Sequence, residues 1–560
     1  MDTLEVVIEN THERRTIKAG TTLAALSQKY YTDLKQWPLP RPILGALVNN
    51  VVEDMNYRIY NPKTIRFFDI TDPQGWRMYQ SSLIFMLYKA VRETYPLARL
   101  AVKHSMQGGF YCTIENSGEE DRYLIASTVR DRMVELQQQD LPFQSKVMLL
   151  TDAIEVVKQA DIPETLKLME SLGQLYITMN YLGDTVHKFH TKLVPSTGCL
   201  RMWEFCTYSD SGFLLQMPDP KHIDKLAMFP DTPKLFSIFK EHHRWADLLR
   251  VPTIADLNRI VRDKGENHLI HVAEALHEKK YAEIADMIFQ RRDQVRMVLL
   301  AGPSSSGKTT SCRRLSVQLS VLGFDVKQLS LDDYFVSRDR TPKLPNGEFD
   351  FESIDALDIP LLNDHLLRLF NGEKVEIPTF DFIKGNPYFD GKSLQMGPHS
   401  ILLVEGIHAL NPKLTAQIDD ALKFRIYVSA LTQIAIDDVN IIHTNENRML
   451  RRIVRDNNFR GWDAYNTLHR WSEVRRGETI NIFPFQENAD VMFNSALLYE
   501  IGVLKIYAEP QLKHVPENCE EYAEATHLLK FLNFFDPIDP KYIPPTSIMR
   551  EFLGGSSFSY

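Results

Sequence analysis

Cysteine is scarce in this 560-residue chain. Cys112, Cys199, Cys206, Cys312 and Cys519 are scattered, odd in number and free of Cys-x-x-Cys spacing. That pattern excludes a disulfide framework and a cysteine zinc site, and it fits a reducing compartment. Long apolar runs are missing too: no stretch approaches the ~18 residues that cross a bilayer. The opening MDTLEVVIEN is acidic and alternating, unlike a signal peptide. A cytoplasmic protein with no membrane partner is expected. Positive charge is not in excess either: the formal net charge is −9, so no global field draws nucleic acid. There is no internal repeat and no long low-complexity tract.

What is present is ordinary globular composition, 44% hydrophobic and 24% charged, in a chain too long for one core. Residues 1–70 read as a small α+β unit. Leu4, Val6 and Ile8 alternate with polar neighbours as in a half-buried strand, Gly20-Thr21-Thr22 opens a short helix, and Asn49-Asn50 punctuates a hairpin. Residues 71–240 are mixed. MYQSSLIFMLYKAV reads as a helix, and GGFYCTI and RYLIA as strands. Residues 241–290 form a helical connector through HLIHVAEALHEKKYAEIADMIFQRR. From 291 to 510 the buried runs VRMVLLAG, DVKQLSL, SILLVEG and FRIYVS alternate with helical stretches, the pattern of a parallel sheet in an α/β domain. Residues 511–560 read as a Pro-punctuated C-terminal extension.

Within the α/β block, Gly302-Pro303-Ser304-Ser305-Ser306-Gly307-Lys308-Thr309 matches G-x4-G-K-[ST] in full, with Thr310 next. Such a loop wraps polyphosphate with backbone N–H groups, and its glycines keep the approach clear. The following helix points its positive end at the anion. Lys308 adds a charge near the β and γ oxygens, and Thr309 offers a hydroxyl to Mg²⁺. An apolar strand before the loop and the helical SCRRLSVQLSVLG after it supply the required setting. The segment therefore binds a nucleoside triphosphate with magnesium.

Two acidic strand ends follow. LSLDDYF places Asp332 where ligands bind in open α/β sheets, as a base, a metal ligand or both; Asp333 is the weaker choice. SILLVEGIHAL ends on Glu405, in the manner of a Walker B carboxylate. In NRMLRRIVRDNNFRG, Arg448, Arg452 and Arg455 share one helical face with Arg451 adjacent, while Met449, Leu450, Ile453 and Val454 pack away from it. Such a face suits a phosphate-clamping lid that excludes water.

Taken in order, GPSSSGKTT, SLDDYF, FDFESIDALD, IPTFDF, LLVEGIHAL and the arginine segment resemble the uridine kinase and phosphoribulokinase family of P-loop kinases, over about 295–510. The resemblance implies ATP and Mg²⁺ as cofactors, with Asp332 as catalytic base beside Lys308. It implies Thr309, Asp332 and Glu405 at the metal and the first lid arginines on ATP phosphates. It also implies Asp350 on sugar hydroxyls and Phe380 lining the base pocket. Two departures stand out. The family's base-reading histidine just beyond IPTFDF falls here near Gly385. FDFESIDALD is one residue longer than the family pattern, so Asp350, Asp355 and Asp358 compete for the sugar role.

Residues 1–70 resemble a TGS domain, a β-grasp module. Residues 71–240 resemble the editing-type second domain of threonyl-tRNA synthetases, through MYQSSLIFMLYKAV, QGGFYCTI and VHKFHTKLVPSTG. That family's His-x-x-x-His pair is missing, since residues 71–100 contain no histidine. Val186 stands where its later cysteine belongs, with His190 retained and His187 nearby. Neither zinc nor editing is expected there. The fold class expected is thus multidomain: a P-loop parallel-sheet kinase domain preceded by a β-grasp unit and an α+β editing-like unit. The function expected is phosphoryl transfer from ATP to a hydroxyl of a nucleoside-like acceptor. The other readings are a nucleotide-dependent RNA- or ribosome-binding regulator and a sugar-phosphate kinase.

Overall fold

The computed structural model describes residues 3–33, 41–106, 108–209, 212–228, 232–344, 347–381 and 384–559. Strands β1 (Thr3–Ile8) and β2 (Glu13–Lys18) form a hairpin, followed by helix α1 (Leu23–Asp33), β3 (Gly45–Val48), β4 (Val51–Glu53) and β5 (Lys63–Phe68). The sheet order is β2-β1-β5-β3-β4, with β1 and β5 parallel and the other pairs antiparallel. The alternation seen in β1 buries Val6 and Ile8. Asn49 and Asn50 adopt φ of 48° and 60°, the left-handed pair that matches the twist of a two-residue hairpin.

The next unit starts with α2 (Pro73–Thr94). Asp72 caps it by accepting from the Gln74 N–H, and Pro73 sits where a missing N–H costs nothing. Then come β6 (Arg99–Met106), β7 (Gly109–Glu115), α3 (Arg122–Gln139), β8 (Phe143–Leu149), β9 (Tyr176–Leu182), β10 (Thr185–His187), β11 (Glu204–Tyr208) and β12 (Gly212–Gln216). They form an antiparallel sheet β11-β12-β7-β6 and a second one, β8-β9-β10. RYLIA, expected as a strand, is the first turn of α3. Ile125, Ala126, Val129, Met133 and Leu136 fall on one helical stripe and are buried, and the Asp121 carboxylate accepts from the Tyr123 and Leu124 N–H groups. Five residues were too short a window for that period to show.

Helices α4 (Pro233–Leu248), α5 (Ile254–Arg262) and α6 (Glu266–Gln290) lead to a parallel sheet. Its parts are β13 (Met297–Ala301), α7 (Lys308–Val321), β14 (Asp325–Ser330), β15 (Ser400–Glu405), β16 (Lys423–Ser429), α8 (Thr444–Phe459), α9 (Trp471–Asn481) and β17 (Val491–Asn494). The order β14-β15-β13-β16-β17 is parallel throughout. This is an open parallel α/β fold with the glycine-rich loop after its central strand. Both faces are covered, so β13 is buried at every position. The chain turns from one side of β13 to the other, and the carboxyl end of β13 is therefore the switch point where α/β sheets hold ligands.

Helices α10 (Glu500–Lys513), α11 (Glu521–Leu532) and α12 (Met549–Leu553) close the chain. One apolar cluster joins Ile177 and Met179 of β9, Leu269 of α6, Leu450 and Ile453 of α8, Ile501 of α10, and Leu528 and Phe531 of α11. The last fifty residues thus complete a core shared with α6, α8 and the second unit, while Ile548 and Phe552 pack against the parallel sheet. Among the described residues no helix is long and apolar enough to cross a membrane. Leu528 is fully buried in that core. Leu528→Ala is expected to cost about 2–5 kcal/mol, read as a lowered denaturation midpoint; a change within about 0.5 kcal/mol would show that α11 is dispensable to the fold.

Candidate active site

The loop 302–307 connects β13 to α7. Two of its features are steric. A Cβ on Gly302 would stand 2.0 Å from the Val428 carbonyl oxygen, and Gly307 has φ of +81° with Ile548 Cγ2 2.8 Å from where its Cβ would lie. Only glycine fits either position. The carbonyls of the loop are held from below. Arg448 Nε donates to Ser304 O at 2.9 Å and Arg451 Nη1 to Ser305 O at 3.3 Å, while the Ser495 hydroxyl donates to Ser306 O. Behind them, Arg448 pairs with Glu478 of α9 and Arg451 with Glu500 of α10, all four fully or almost fully buried.

The acidic groups gather at the strand ends. Thr309 Oγ1 and Ser330 Oγ donate to Glu405 Oε1 at 3.4 Å and 3.2 Å. Burial, then the nearby Asp332, raises the Glu405 carboxyl to about 7, while Lys308 pulls it down. Lys308 is itself lowered by burial, against the pull of Glu405, Asp332 and Glu551. Asp332 is exposed at the end of β14. Asp333 instead accepts from the Phe380 backbone and stands 3.8 Å from Lys392, so it serves the neighbouring hairpin. Two carboxylates and a threonine hydroxyl make a hard-oxygen donor set, and their mutual repulsion is what a divalent cation relieves. These residues fit Mg²⁺.

The arginines divide by depth. Arg448 and Arg451 are buried under the loop. Arg452 reaches it from the side, Nη1 donating to Ser304 Oγ at 2.9 Å, and pairs with Asp456 at 3.2 Å. Arg455 pairs with Asp456 at 2.7 Å. Arg460, at the end of the same segment but not among the arginines placed on its shared face, is lowered to about 10 by burial and by Arg455, with Asp332 among the charges acting on it.

On the acceptor side, Asp350 pairs with Arg476 at 3.1 Å, Asp355 is exposed, and Asp358 caps a helix by accepting from Leu361 N–H. The carboxylate brought nearest the catalytic groups is another residue of that stretch, Glu352. Its Oε2 is buried without a hydrogen-bond partner, and burial raises it to about 7 within the field of Arg452, Glu478, Lys308 and Asp332. Phe380 is buried, its ring 5.6 Å from that of Phe335. Phe382 and Ile383 lie outside the described residues. Gly385 has φ of +71°, and a Cβ there would stand 2.6 Å from Arg338 Nε. Arg338 fills the space in which a histidine at 385 would need to sit.

Three contacts carried no sequence signal. Glu478 Oε1 accepts from the Ser304 N–H at 3.2 Å. Glu551 of α12 accepts from the Thr310 N–H at 3.1 Å and hydroxyl at 2.6 Å, at the first turn of α7. Far from this site, His190 has ligand atoms within 4.8 Å of those of Glu446 and His527. His187 does not join them; it is buried edge-on to Tyr88 at 4.8 Å. The sequence pattern showed no third ligand because the two that approach His190 come from α8 and α11.

Residues 297–498 match the phosphoribulokinase/uridine kinase family. The chain is 31% identical over 273 residues to a uridine kinase of Schizosaccharomyces pombe, covering 46% of this chain and 55% of that one. It is 30% identical over 175 residues to a uridine kinase of Staphylococcus haemolyticus, covering 31% and 75%. With a uridine kinase of Mycoplasma pneumoniae it shares 29% over 226 residues, covering 40% and 97%. The chain thus spans about half the length of the fission-yeast relative and most of the length of the two bacterial ones. The matched span 297–498 holds the P-loop, Asp332, Glu405 and the strands that carry them, and the chain belongs to the phosphoribulokinase/uridine kinase family.

Proposed function

We propose that the protein is a cytoplasmic ATP-dependent kinase that transfers the γ-phosphoryl group to a hydroxyl of a nucleoside-like small molecule. One observation carries this reading: the P-loop Lys308, the exposed Asp332 and the half-buried Glu405 act on one another in a single crevice. The loop N–H groups and Lys308 bind the polyphosphate, and Arg452 and Arg460 add charge at its edge. Asp332 accepts the acceptor's hydroxyl proton as the acceptor oxygen bonds to phosphorus and the bond to the ADP oxygen breaks. Thr309, Asp332 and Glu405 would hold Mg²⁺, which neutralises charge on the β and γ oxygens. Glu352 is the carboxylate best placed to meet an acceptor hydroxyl, with Asp350 beside it. The uridine kinase relatives favour this reading over an RNA-binding regulator.

We read residues 1–70 as a TGS-like β-grasp unit, supported by the sheet order around β1 and β5. Residues 71–240 are read as an editing-like unit without editing chemistry, supported by Val186 in place of the cysteine. Both serve as a platform packed on the kinase.

Asp332→Asn is expected to keep ATP binding and lower turnover by about 10²–10⁴-fold; near-normal turnover with a confirmed product would remove Asp332 as the base. The Glu405 carboxyl lies above its ordinary 4.5, near 7. In the folded, unliganded protein it therefore binds an extra proton between those values, and its contribution to stability declines as pH rises through about 7. Mg²⁺ competes with that proton. Mg²⁺ affinity in the ATP complex should fall as pH drops below about 7, and Glu405→Gln should flatten this dependence; an unchanged profile in the variant counts against Glu405 as ligand. Glu551 holds a negative charge on the helix turn that attracts phosphate, so Glu551→Gln is expected to lower the KM for ATP about fivefold. A raised KM would show instead that Glu551 supports the nucleotide site.

A further inference from the structure

A cleft of about 240 Å³ opens between α2, β9, the segment after β10 and α11. It is lined by Arg77, Lys188, His190, Lys192, His527 and Lys530. Three of these six are already matched. Arg77 pairs with Glu524 at 2.7 Å, Lys192 with Glu53 at 2.7 Å, and His527 with Glu446 at 2.7 Å. Lys188 is different. It is 8% exposed, and among the described residues its Nζ meets only the Phe189 carbonyl at 3.4 Å and the Phe534 ring at 5.3 Å. Among the described residues no carboxylate lies within ion-pair distance of it or of Lys530. Asp437 acts on Lys188 from farther away, and burial lowers the ammonium to about 8. His190 Nδ1 is likewise buried with no hydrogen-bond partner.

A buried ammonium without a counter-charge is costly, and an unpartnered ring nitrogen beside it adds to that cost. Both are relieved by one dianion with several acceptor oxygens. A carboxylate brings a single charge; a phosphate monoester brings about −1.5 to −2 and three acceptor oxygens. Thr178 and Asn533 also line the cleft and can take the hydroxyls of an attached sugar.

We propose that this cleft, outside the kinase site, binds a small phosphate-bearing metabolite no larger than a mononucleotide, with Lys188 and His190 at its phosphate and Lys530 at the rim. The site rests on residues that the proposed kinase reaction does not use.

The test is calorimetric titration of full-length protein carrying Lys308→Ala, which silences the P-loop, with ribose 5-phosphate and with inorganic phosphate. One saturable site is expected, tighter for ribose 5-phosphate. Lys188→Met, which keeps the side-chain volume, should weaken binding about tenfold or more, with the melting curve confirming the fold. Lys530→Ala should weaken it less. Absence of saturable binding, or full affinity in Lys188→Met, would overturn the proposal. Inorganic phosphate binding as tightly as the ester would overturn the metabolite assignment. Binding that requires added zinc and is abolished by EDTA would assign the site instead to a metal held by His190, Glu446 and His527.

Discussion

Everything at the nucleotide site depends on two buried guanidinium–carboxylate pairs, Arg448 with Glu478 and Arg451 with Glu500. A phosphate-binding loop must turn its N–H groups toward the ligand, so its carbonyls point the other way, into protein. The two arginines take up those carbonyls at Ser304 and Ser305. A buried pair of this kind is weak evidence for net stability, yet removing one partner leaves an isolated charge and costs about 3–5 kcal/mol. The pairs therefore set the loop's shape more than they stabilise the fold. They also tie it to α8, α9 and α10, so the loop is built by elements far along the chain.

Above that foundation the charges are arranged in opposition. Glu405 and Glu352 are both raised to about 7 by burial, with Asp332 nearby, while Lys308 is lowered by the same burial. Opposite shifts of acids and a base within one crevice mark charged groups held out of water, the condition of a functional site. A nucleotide with its metal satisfies both at once. Glu551, arriving from the C-terminal helix, occupies part of the anion-attracting turn in the unliganded protein.

The N-terminal units are not appended to this arrangement by a linker. The second unit shares an apolar cluster with α8, α10 and α11, the first joins Ala523 of α11 through Leu47 and Phe68, and the basic cleft lies where these parts meet. Helix α8 touches both sites. Glu446 in its first turn bonds His527 at the cleft, and Arg448 and Arg451, within the next turn and a half, bond the P-loop.

Local chemistry was legible from residues alone. The P-loop announces itself because backbone geometry demands glycine at 302 and 307 and a lysine next, all within one short stretch. The parallel strands show because burial on both faces removes polar residues, and Asp332 and Glu405 show because each directly follows such a run. RYLIA misled because a few apolar residues fit a strand or a helix until the longer period is seen. Through-space relations were another matter. Glu352, Glu478 and Glu551 converge on the loop from three separate segments. Arg448 and Arg451 proved to face loop carbonyls, a depth that helical spacing does not report. Gly385 stood out as a departure, but only packing showed Arg338 filling its space. What the sequence by itself determined was the chemistry of groups whose partners are a few residues away along the backbone. Which distant charges meet, and which are left buried without a partner, was decided by the tertiary structure, because packing and electrostatic fields act through space regardless of chain order.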